Sequence, residues 1–360
     1  MKWLRFVLLV MACALAINST VSAEAELQSD KADAQRDLST LPEWEMISSQ
    51  YGGKLLLSDS PEIVPADGIT YQDTINGDVR LFFHHVNGTA EPKKIVVWLE
   101  NKGPQPAHIT VYQWGLGGPG YNYVEVGKKV QMDYMKGIVS LYEVEVPANG
   151  GAGLVPSLEK TVVKPNMLVN GMYDFTTDQS VTVKVMMLPV RANIEKFAAQ
   201  AKVLPTDKDR LRGTFAGKNR LLVSSQFYNP CQDGPVAFTL ADNKIDKYLQ
   251  GIDATDGSKV LNYGNYGVVY RLFLPSEYNG NIDYLLNPHG GEYAGAMGVR
   301  YRFKLENPVA TPADRLSMGI GTSEDMSFIG RYKGGQSLWF TFSPPGASNL
   351  PVRLIMKPAE

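Results

Sequence analysis

Tyrosine and asparagine are concentrated between residues 262 and 301, where they offer the chemistry of a ligand-binding surface. Seven of the 18 tyrosines lie in this stretch, among asparagines and glycines. Tyrosine presents a flat apolar ring with a polar tip, and asparagine and aspartate make directional hydrogen bonds. Sugars and many protein partners are bound by this mixture of side chains. The predicted ligand-binding residues are Tyr263, Tyr266, Tyr278, Asn281, Asp283, Tyr284 and Tyr293. The alternative is that the tyrosines on strands belong to the core and the others to turns.

A metal site is a second hypothesis for the same region. His289 and Glu292 are three residues apart in a loop sequence, and Asp283 precedes them. Imidazole and carboxylate groups are metal ligands, but a loop does not fix their geometry as a helix would. A secreted, metal-assisted hydrolase would use these three residues. Asp283 and Glu292 are also the first carboxylates to consider as an acidic pair for glycoside hydrolysis.

Other motifs with catalytic potential have simpler interpretations. The glycine-rich stretch 115–120 is followed by residues 124–134, whose apolar positions have a period of two, so we expect a turn before a strand and no phosphate loop. His84 and His85 are adjacent on a predicted strand and would point to opposite faces. Cys231 lies in a turn sequence, and no Gly-x-Ser-x-Gly motif is present. No cofactor is predicted.

Basic residues alternate with apolar ones near residue 300. Arg300, Arg302 and Lys304 lie opposite Val299, Tyr301, Phe303 and Leu305 in a two-residue pattern. The simplest interpretation is one strand with a solvated basic face. The same row of charges could instead meet an acidic cell-wall polymer.

Short alternating runs, which are typical of half-buried antiparallel strands, supply most of the scaffold for these residues. Examples are residues 95–100, 142–146, 181–187 and 268–274, separated by Asn-Gly and Pro-containing turns. One amphipathic helix is expected over 193–203. We therefore predict a mainly β protein with two β-sandwich domains, Ig-like or jelly-roll-like. The predicted domains are 51–190 and 213–360, joined by a helical connector at 191–212.

The N-terminus resembles a secretory signal. Lys2 and Arg5 precede an apolar run that is too short to span a bilayer, and the small residues before position 24 suit cleavage after Ala23. Residues 1–23 are thus a predicted signal peptide and 24–50 a linker or tether. Retention as an anchor and lipidation at Cys13 are the alternatives. No later stretch is apolar enough for a membrane span.

Charge and cysteine content narrow the possible partners. Cleavage would change the formal net charge from −2 to −4 by removing two basic residues, which argues against a nucleic acid partner. It would also leave Cys231 as the single cysteine, so no disulfide could form within the chain. Export without disulfides is typical of bacterial envelope proteins.

Three stretches, 60–69, 264–268 and 343–349, resemble exported bacterial surface proteins that carry or are associated with a copper-amine-oxidase-like N-terminal domain. The resemblance implies a surface location and no activity. The quinone-forming tyrosine of true copper amine oxidases lies in Asn-Tyr-Asp/Glu, whereas the pairs at Tyr123, Tyr263 and Tyr266 lack the acid. A His-x-His copper pair is also absent from the sequence.

These observations favour an exported, non-enzymatic cell-envelope protein. Its expected partner is a cell-wall or other polysaccharide, bound by the Tyr/Asn-rich loops of the second predicted domain. A secreted hydrolase and a structural or assembly module with a protein partner are the two alternatives.

Overall fold

The computed structural model describes residues 40–137, 141–319 and 325–359. The predicted signal peptide at 1–23 and residues 24–39 of the predicted linker lie outside the described residues. Within the described ranges, no helix combines the length and apolar character needed to cross a bilayer.

Strands dominate the described residues, as the alternating sequence predicts, so the prediction of a mainly β protein is confirmed. The helices are α1 Tyr123–Met135, α2 Ile194–Gln200 and α3 Pro230–Asp233. The strands are β1 Met46–Tyr51, β2 Lys54–Ser58, β3 Ile63–Val64, β4 Gly68–Asn87, β5 Lys93–Asn101, β6 Ala107–Gly120, β7 Tyr142–Val146, β8 Gly150–Gly153, β9 Leu168–Pro189, β10 Arg212–Ala216, β11 Asn219–Ser224, β12 Val236–Leu240, β13 Gln250–Ile252, β14 Lys259–Leu261, β15 Val269–Phe273, β16 Asn281–Pro288, β17 Gly295–Tyr301, β18 Lys304–Leu305, β19 Val309–Thr311, β20 Ser327–Lys333, β21 Leu338–Phe342 and β22 Val352–Pro358.

Three sheets organise these strands. The largest runs β14-β13-β10-β2-β4-β9-β5-β8, with β3 beside β4, β6 beside β9, and β7 beside β6. A seven-stranded sheet runs β1-β11-β15-β21-β17-β18, with β19 beside β17. A four-stranded sheet has the order β12-β22-β16-β20.

Two long antiparallel strands form the centre of the largest sheet. β4 and β9 pair from Gly68 opposite Met187 to Val86 opposite Leu168. Alternate residues such as Leu81 point into a core made by this sheet and the segments around it. Burial of these apolar side chains is the main favourable term for such a sheet.

The seven- and four-stranded sheets share another core. Leu272 and Phe340 from the first sheet join Ile282 and Leu354 from the second in one buried cluster. Phe82 of β4 belongs to the same cluster, so the largest sheet also contacts this core.

Strands from both sides of residues 191–212 share sheets. β1 pairs antiparallel with β11, and β2 pairs antiparallel with β10. β1 begins at Met46, inside the range predicted as a linker. The helix predicted over 193–203 is present but shorter, Ile194–Gln200, and packs Ala198 against Ile69 and Met186.

The expected strand over 124–134 is wrong, because residues Tyr123–Met135 form helix α1. Asn122 caps the helix by accepting a hydrogen bond from the Glu125 amide. Val126, Val130 and Tyr134 are four residues apart and all buried, so helical spacing explains their burial as well as a two-residue period does.

The glycines before α1 allow this helix to lie close to the sheet. A Cβ on Gly115 would lie 2.2 Å from the Val130 carbonyl oxygen, and one on Gly117 would lie 2.3 Å from that of Val126. These glycines therefore allow the end of β6 to pack directly against α1. The expectation that they form a turn is wrong for these two positions.

Candidate functional site

The predicted tyrosine cluster is divided between the core and the surface. Tyr284 and Tyr293 are fully buried. Tyr266 is half-buried, and its hydroxyl donates to the Ser348 carbonyl at 2.8 Å. Burial raises the pKa of all three phenols. These three tyrosines contribute to packing within the fold.

The more exposed members line two different grooves. Tyr263 is 52% exposed and lies edge-on to Tyr248 beside a groove of about 520 Å³. Tyr278 lines another groove, of about 710 Å³, with Phe227 and Lys333. Asn281 is exposed at the start of β16. The predicted loop residues thus lie at separate places.

The three predicted metal ligands have other partners. Asp283 is buried and accepts two hydrogen bonds from Arg331, at 2.7 and 2.8 Å. His289 Nε2 lies 2.6 Å from Asn287 Oδ1, and Glu292 accepts from the Ser317 hydroxyl at 2.9 Å. Nowhere in the described ranges do three His, Cys, Asp or Glu side chains form a group that could hold a metal ion. The geometry of Asp283, His289 and Glu292 therefore does not fit a metal.

His84 and His85 point to opposite faces of β4 and have different surroundings. His85 is fully buried, with Nδ1 3.0 Å from the Pro61 carbonyl and Nε2 2.8 Å from the Ser58 hydroxyl. Burial lowers the pKa of His85 to about 3, and His84 adds to this shift. His84 is also buried, and its Nε2 lies 3.7 Å from a carboxylate oxygen of Glu62.

Two carboxyl groups, those of Asp59 and Glu62, have pKa values displaced in opposite directions. Burial, then the charge of Glu62, raises the pKa of Asp59 well above its usual range. The neighbouring His84 side chain lowers the pKa of Glu62. Two carboxyl groups whose pKa values are displaced in opposite directions are the components of acid–base catalysis. Asp59 is only 9% exposed, however, so a substrate would need an opening to reach it.

The three sequence stretches that resemble surface proteins meet around this cluster. Tyr266 joins the stretch 343–349 through Ser348, and its ring lies 6.3 Å from Phe82 on β4. A Cβ on Gly346 would lie 2.6 Å from His84 Nδ1. The close approach of this loop to His84 explains the need for glycine and indicates a packing role for these three stretches.

The outer face of the seven-stranded sheet carries an unusual row of side chains. Cross-strand pairing connects one residue on each of six successive strands. We call this set the cross-strand row: Ile47, Val223, Phe273, Trp339, Arg300 and Leu305. Their neighbours along the strands, such as Leu222 and Phe340, are buried on the inner face. The solvated face of a sheet usually carries polar residues, so this row is an exception that indicates a binding surface.

A groove lies at one end of the cross-strand row. It has a volume of about 410 Å³, and we call it the hairpin groove. The residues that line it are Arg271, Arg300, Phe303, Leu305, Trp339 and Thr341. The rings of Phe273 and Trp339 lie 4.6 Å apart between centroids and 30° apart in plane, which fixes the indole on the sheet. Arg271 donates to the Thr341 hydroxyl at 2.6 Å.

The hairpin that closes this groove replaces the single strand predicted near residue 300. β17 ends at Tyr301, Arg302 and Phe303 form a two-residue turn, and Lys304 pairs back with Tyr301. Phe303 is 84% exposed instead of sharing a buried face with Val299. Arg-Phe is not a dipeptide that signals a turn, so sequence pattern alone predicts a continuous strand here.

Comparison with known proteins does not identify a family. No family model matches the chain, and no curated sequence matches it. Solved structures show slight similarity: a Paenibacillus xanthan lyase (8% identity, TM-score 0.18, covering 82% of this chain and 25% of that one) and a Lactobacillus farciminis oxalate decarboxylase (7% identity, TM-score 0.14, covering 86% and 88%). A Momordica charantia 7S globulin is similar at the same level (7% identity, TM-score 0.13, covering 80% and 79%). This chain spans about a quarter of the length of the xanthan lyase. Similarity this low does not bear on function.

Proposed function

We propose that this chain is an exported, non-enzymatic cell-envelope protein that binds a polysaccharide on the outer face of its seven-stranded sheet. The observation that carries the proposal is the cross-strand row, which places five apolar or aromatic side chains and one arginine on a solvated face across six strands. In this proposal the seven- and four-stranded sheets form a β-sandwich around their shared core. The surface replaces the Tyr/Asn loops as the binding site.

The shape of the surface suits an extended ligand. Six adjacent strands give a row about 24 Å long, because neighbouring strands lie roughly 4.8 Å apart. Trp339 and Phe273 are half-buried, so each keeps part of a ring exposed to the solvent side. Aromatic faces pack against apolar faces of sugar rings, while Thr341 and the arginines can bond hydroxyl groups. A chain of sugar units would use the whole row, whereas a single small ligand would not.

Binding to an array of neutral and acidic polysaccharides tests this proposal. We expect the full chain to bind at least one polysaccharide, and Trp339→Ala to weaken binding about tenfold, as the loss of an aromatic contact near 1.4 kcal/mol implies. Phe227→Ala is the matched control, because Phe227 is 64% exposed in a different groove.

Two results would contradict the proposal. One is the absence of binding to every polysaccharide on the array. The other is a protein ligand, recovered from envelope extracts, whose binding depends on Trp339 when no polysaccharide binds. That result would support the assembly-module alternative.

A secreted hydrolase is a second candidate, favoured by the opposite pKa shifts of Asp59 and Glu62. Its test is a glycosidase screen of the wild-type chain and of Glu62→Gln. Turnover that disappears in Glu62→Gln would support an enzyme, and an inactive wild-type chain would exclude this candidate for the substrates screened.

A further inference from the structure

We propose that the polysaccharide is acidic, and that the hairpin groove holds one carboxylate- or phosphate-bearing sugar between Arg271 and Arg300 with Phe303 at its rim. The inference rests on the proposed function and specifies the ligand class of the same surface. Three features of the described residues carry it: the arginines without salt bridges, their position on either side of Trp339, and the turn that exposes Phe303.

The first feature is the distribution of ion pairs. Of the eleven arginines in the described residues, seven make salt bridges to carboxylates. The other four are Arg191, Arg271, Arg300 and Arg302, and three of these lie in the hairpin groove or its turn. The protein has a net negative charge, and most of its described arginines are paired with carboxylates. The arginines of the groove and its turn are therefore a local group of positive charges without carboxylate partners. Guanidinium groups bind carboxylate and phosphate through two parallel hydrogen bonds, so an anionic ligand completes this arrangement.

The second feature is the position of the two arginines relative to the aromatic platform. Arg271 on β15 lies opposite Thr341, and Arg300 on β17 lies opposite Trp339. Thr341 and Trp339 are both on β21, so the two arginines flank that strand on its two sides. A sugar ring against Trp339 would have a guanidinium on each side, with Thr341 available to a hydroxyl group.

The third feature is the turn itself. Arg302 has φ +47° and Phe303 has φ +67°, which are conformations that favour glycine and asparagine. Phe303 is the most exposed large apolar side chain in the part of the chain that the structure describes. Unfavourable backbone conformations persist where the surrounding structure imposes them, and they are concentrated at ligand-binding sites. The turn holds Phe303 at the rim of the groove, where its ring can cover a bound sugar.

A matched pair of polymers tests the charge requirement on the full chain. Polygalacturonate and its fully methyl-esterified form share one backbone and differ in charge. We expect polygalacturonate to bind at least tenfold more tightly at low ionic strength, with the difference decreasing as NaCl is added. A phosphomannan, whose sugar units carry phosphate, is the third probe. Tighter binding of this polymer would identify phosphate as the group recognised, and tighter binding of polygalacturonate would identify carboxylate.

Substitution of the arginines tests whether the preference for the acidic polymer arises in the hairpin groove. Arg271→Gln and Arg300→Gln should each weaken binding of the acidic polymer about tenfold and weaken binding of the methyl ester by a much smaller factor, because glutamine can still bond a hydroxyl group. Arg191→Gln is the control, since Arg191 is an exposed arginine without a salt bridge that lies outside the groove. Circular dichroism and the thermal midpoint confirm that each variant is folded.

The outcomes separate this inference from the proposed function. If the methyl ester binds as tightly as polygalacturonate and the arginine variants bind normally, while Trp339→Ala still weakens binding, the ligand is a neutral polysaccharide and the inference is wrong. If none of the three polymers binds, the inference is also wrong, and the array result then decides the proposed function by itself.

Discussion

Individual side chains divide into those that stabilise the fold and those that are exposed for binding, and the histidines illustrate the first group. Two adjacent histidines could be assigned to opposite faces of a strand from sequence alone. Sequence could not show that His85 would be enclosed by Ser58 and Pro61, because those contacts depend on the pairing of β2 with β4. The same limit applies to Asp283, whose partner Arg331 is 48 residues away on the neighbouring strand.

His85 should make stability depend on pH. Its folded-state pKa of about 3 lies below the value of about 6.5 in an unfolded chain, so its contribution is present above pH 6.5 and decreases as the pH falls toward 3. Between pH 7 and pH 5 the free energy of unfolding should fall by about 2 kcal/mol from this residue.

Urea unfolding at the two pH values measures the effect. The fall should be smaller by about that amount in His85→Gln and unchanged in His108→Gln, where the histidine is exposed. An equal pH dependence in wild type and His85→Gln would show that His85 is not buried in its neutral form.

Secondary-structure elements were predictable where the apolar residues fit either the two-residue period of a strand or the 3.6-residue period of a helix, but not both. The runs at 142–146 and 181–187 lie in strands, as their alternation predicts. Helix α1 was not recognised, because its buried residues fit both periods and its close contact with Gly115 depends on tertiary packing. The β17–β18 turn was missed because Arg302 and Phe303 are poor turn residues.

The strain in this turn predicts a conflict between stability and binding. Replacing Arg302 and Phe303 with Asn and Gly, the preferred residues of this turn type, should raise the free energy of unfolding by about 1–2 kcal/mol. The same double variant should weaken polysaccharide binding, since the exposed ring is lost. Denaturant unfolding and binding isotherms on one preparation measure both effects. A double variant that is less stable than wild type would contradict the strained-turn interpretation.

At the scale of the whole molecule, buried ion pairs connect elements that are distant in sequence. Arg80 on β4 pairs with Asp174 on β9, at 2.8 Å between Nε and Oδ1, and Tyr134 of α1 and Asn219 of β11 contact the same guanidinium. Strand pairing also joins residues before 191 to residues after 212. Local sequence patterns carry no information about such long-range partners, so the sheet order could not be predicted.

Asp174→Asn should therefore destabilise the described fold as a unit. Leaving the Arg80 charge buried without its partner should cost about 3–5 kcal/mol. Tryptophan fluorescence and near-ultraviolet circular dichroism should shift together to lower denaturant. The exposed pair Arg210–Asp256 provides the control, and Asp256→Asn should leave the unfolding midpoint nearly unchanged. Two separated transitions in Asp174→Asn would show that the sheets unfold independently.

Hydroxyl-radical footprinting tests the location of the binding surface most directly. We expect exposed Phe303 and half-buried Trp339 to be labelled in the free chain, and Phe227 serves as an internal control in another groove. With a bound polysaccharide, we predict that labelling of Phe303 and Trp339 falls by half or more while labelling of Phe227 is unchanged. Unchanged labelling of Phe303 and Trp339 at saturating polysaccharide, or protection confined to Tyr263 or Tyr278, would contradict binding on the outer face of the seven-stranded sheet.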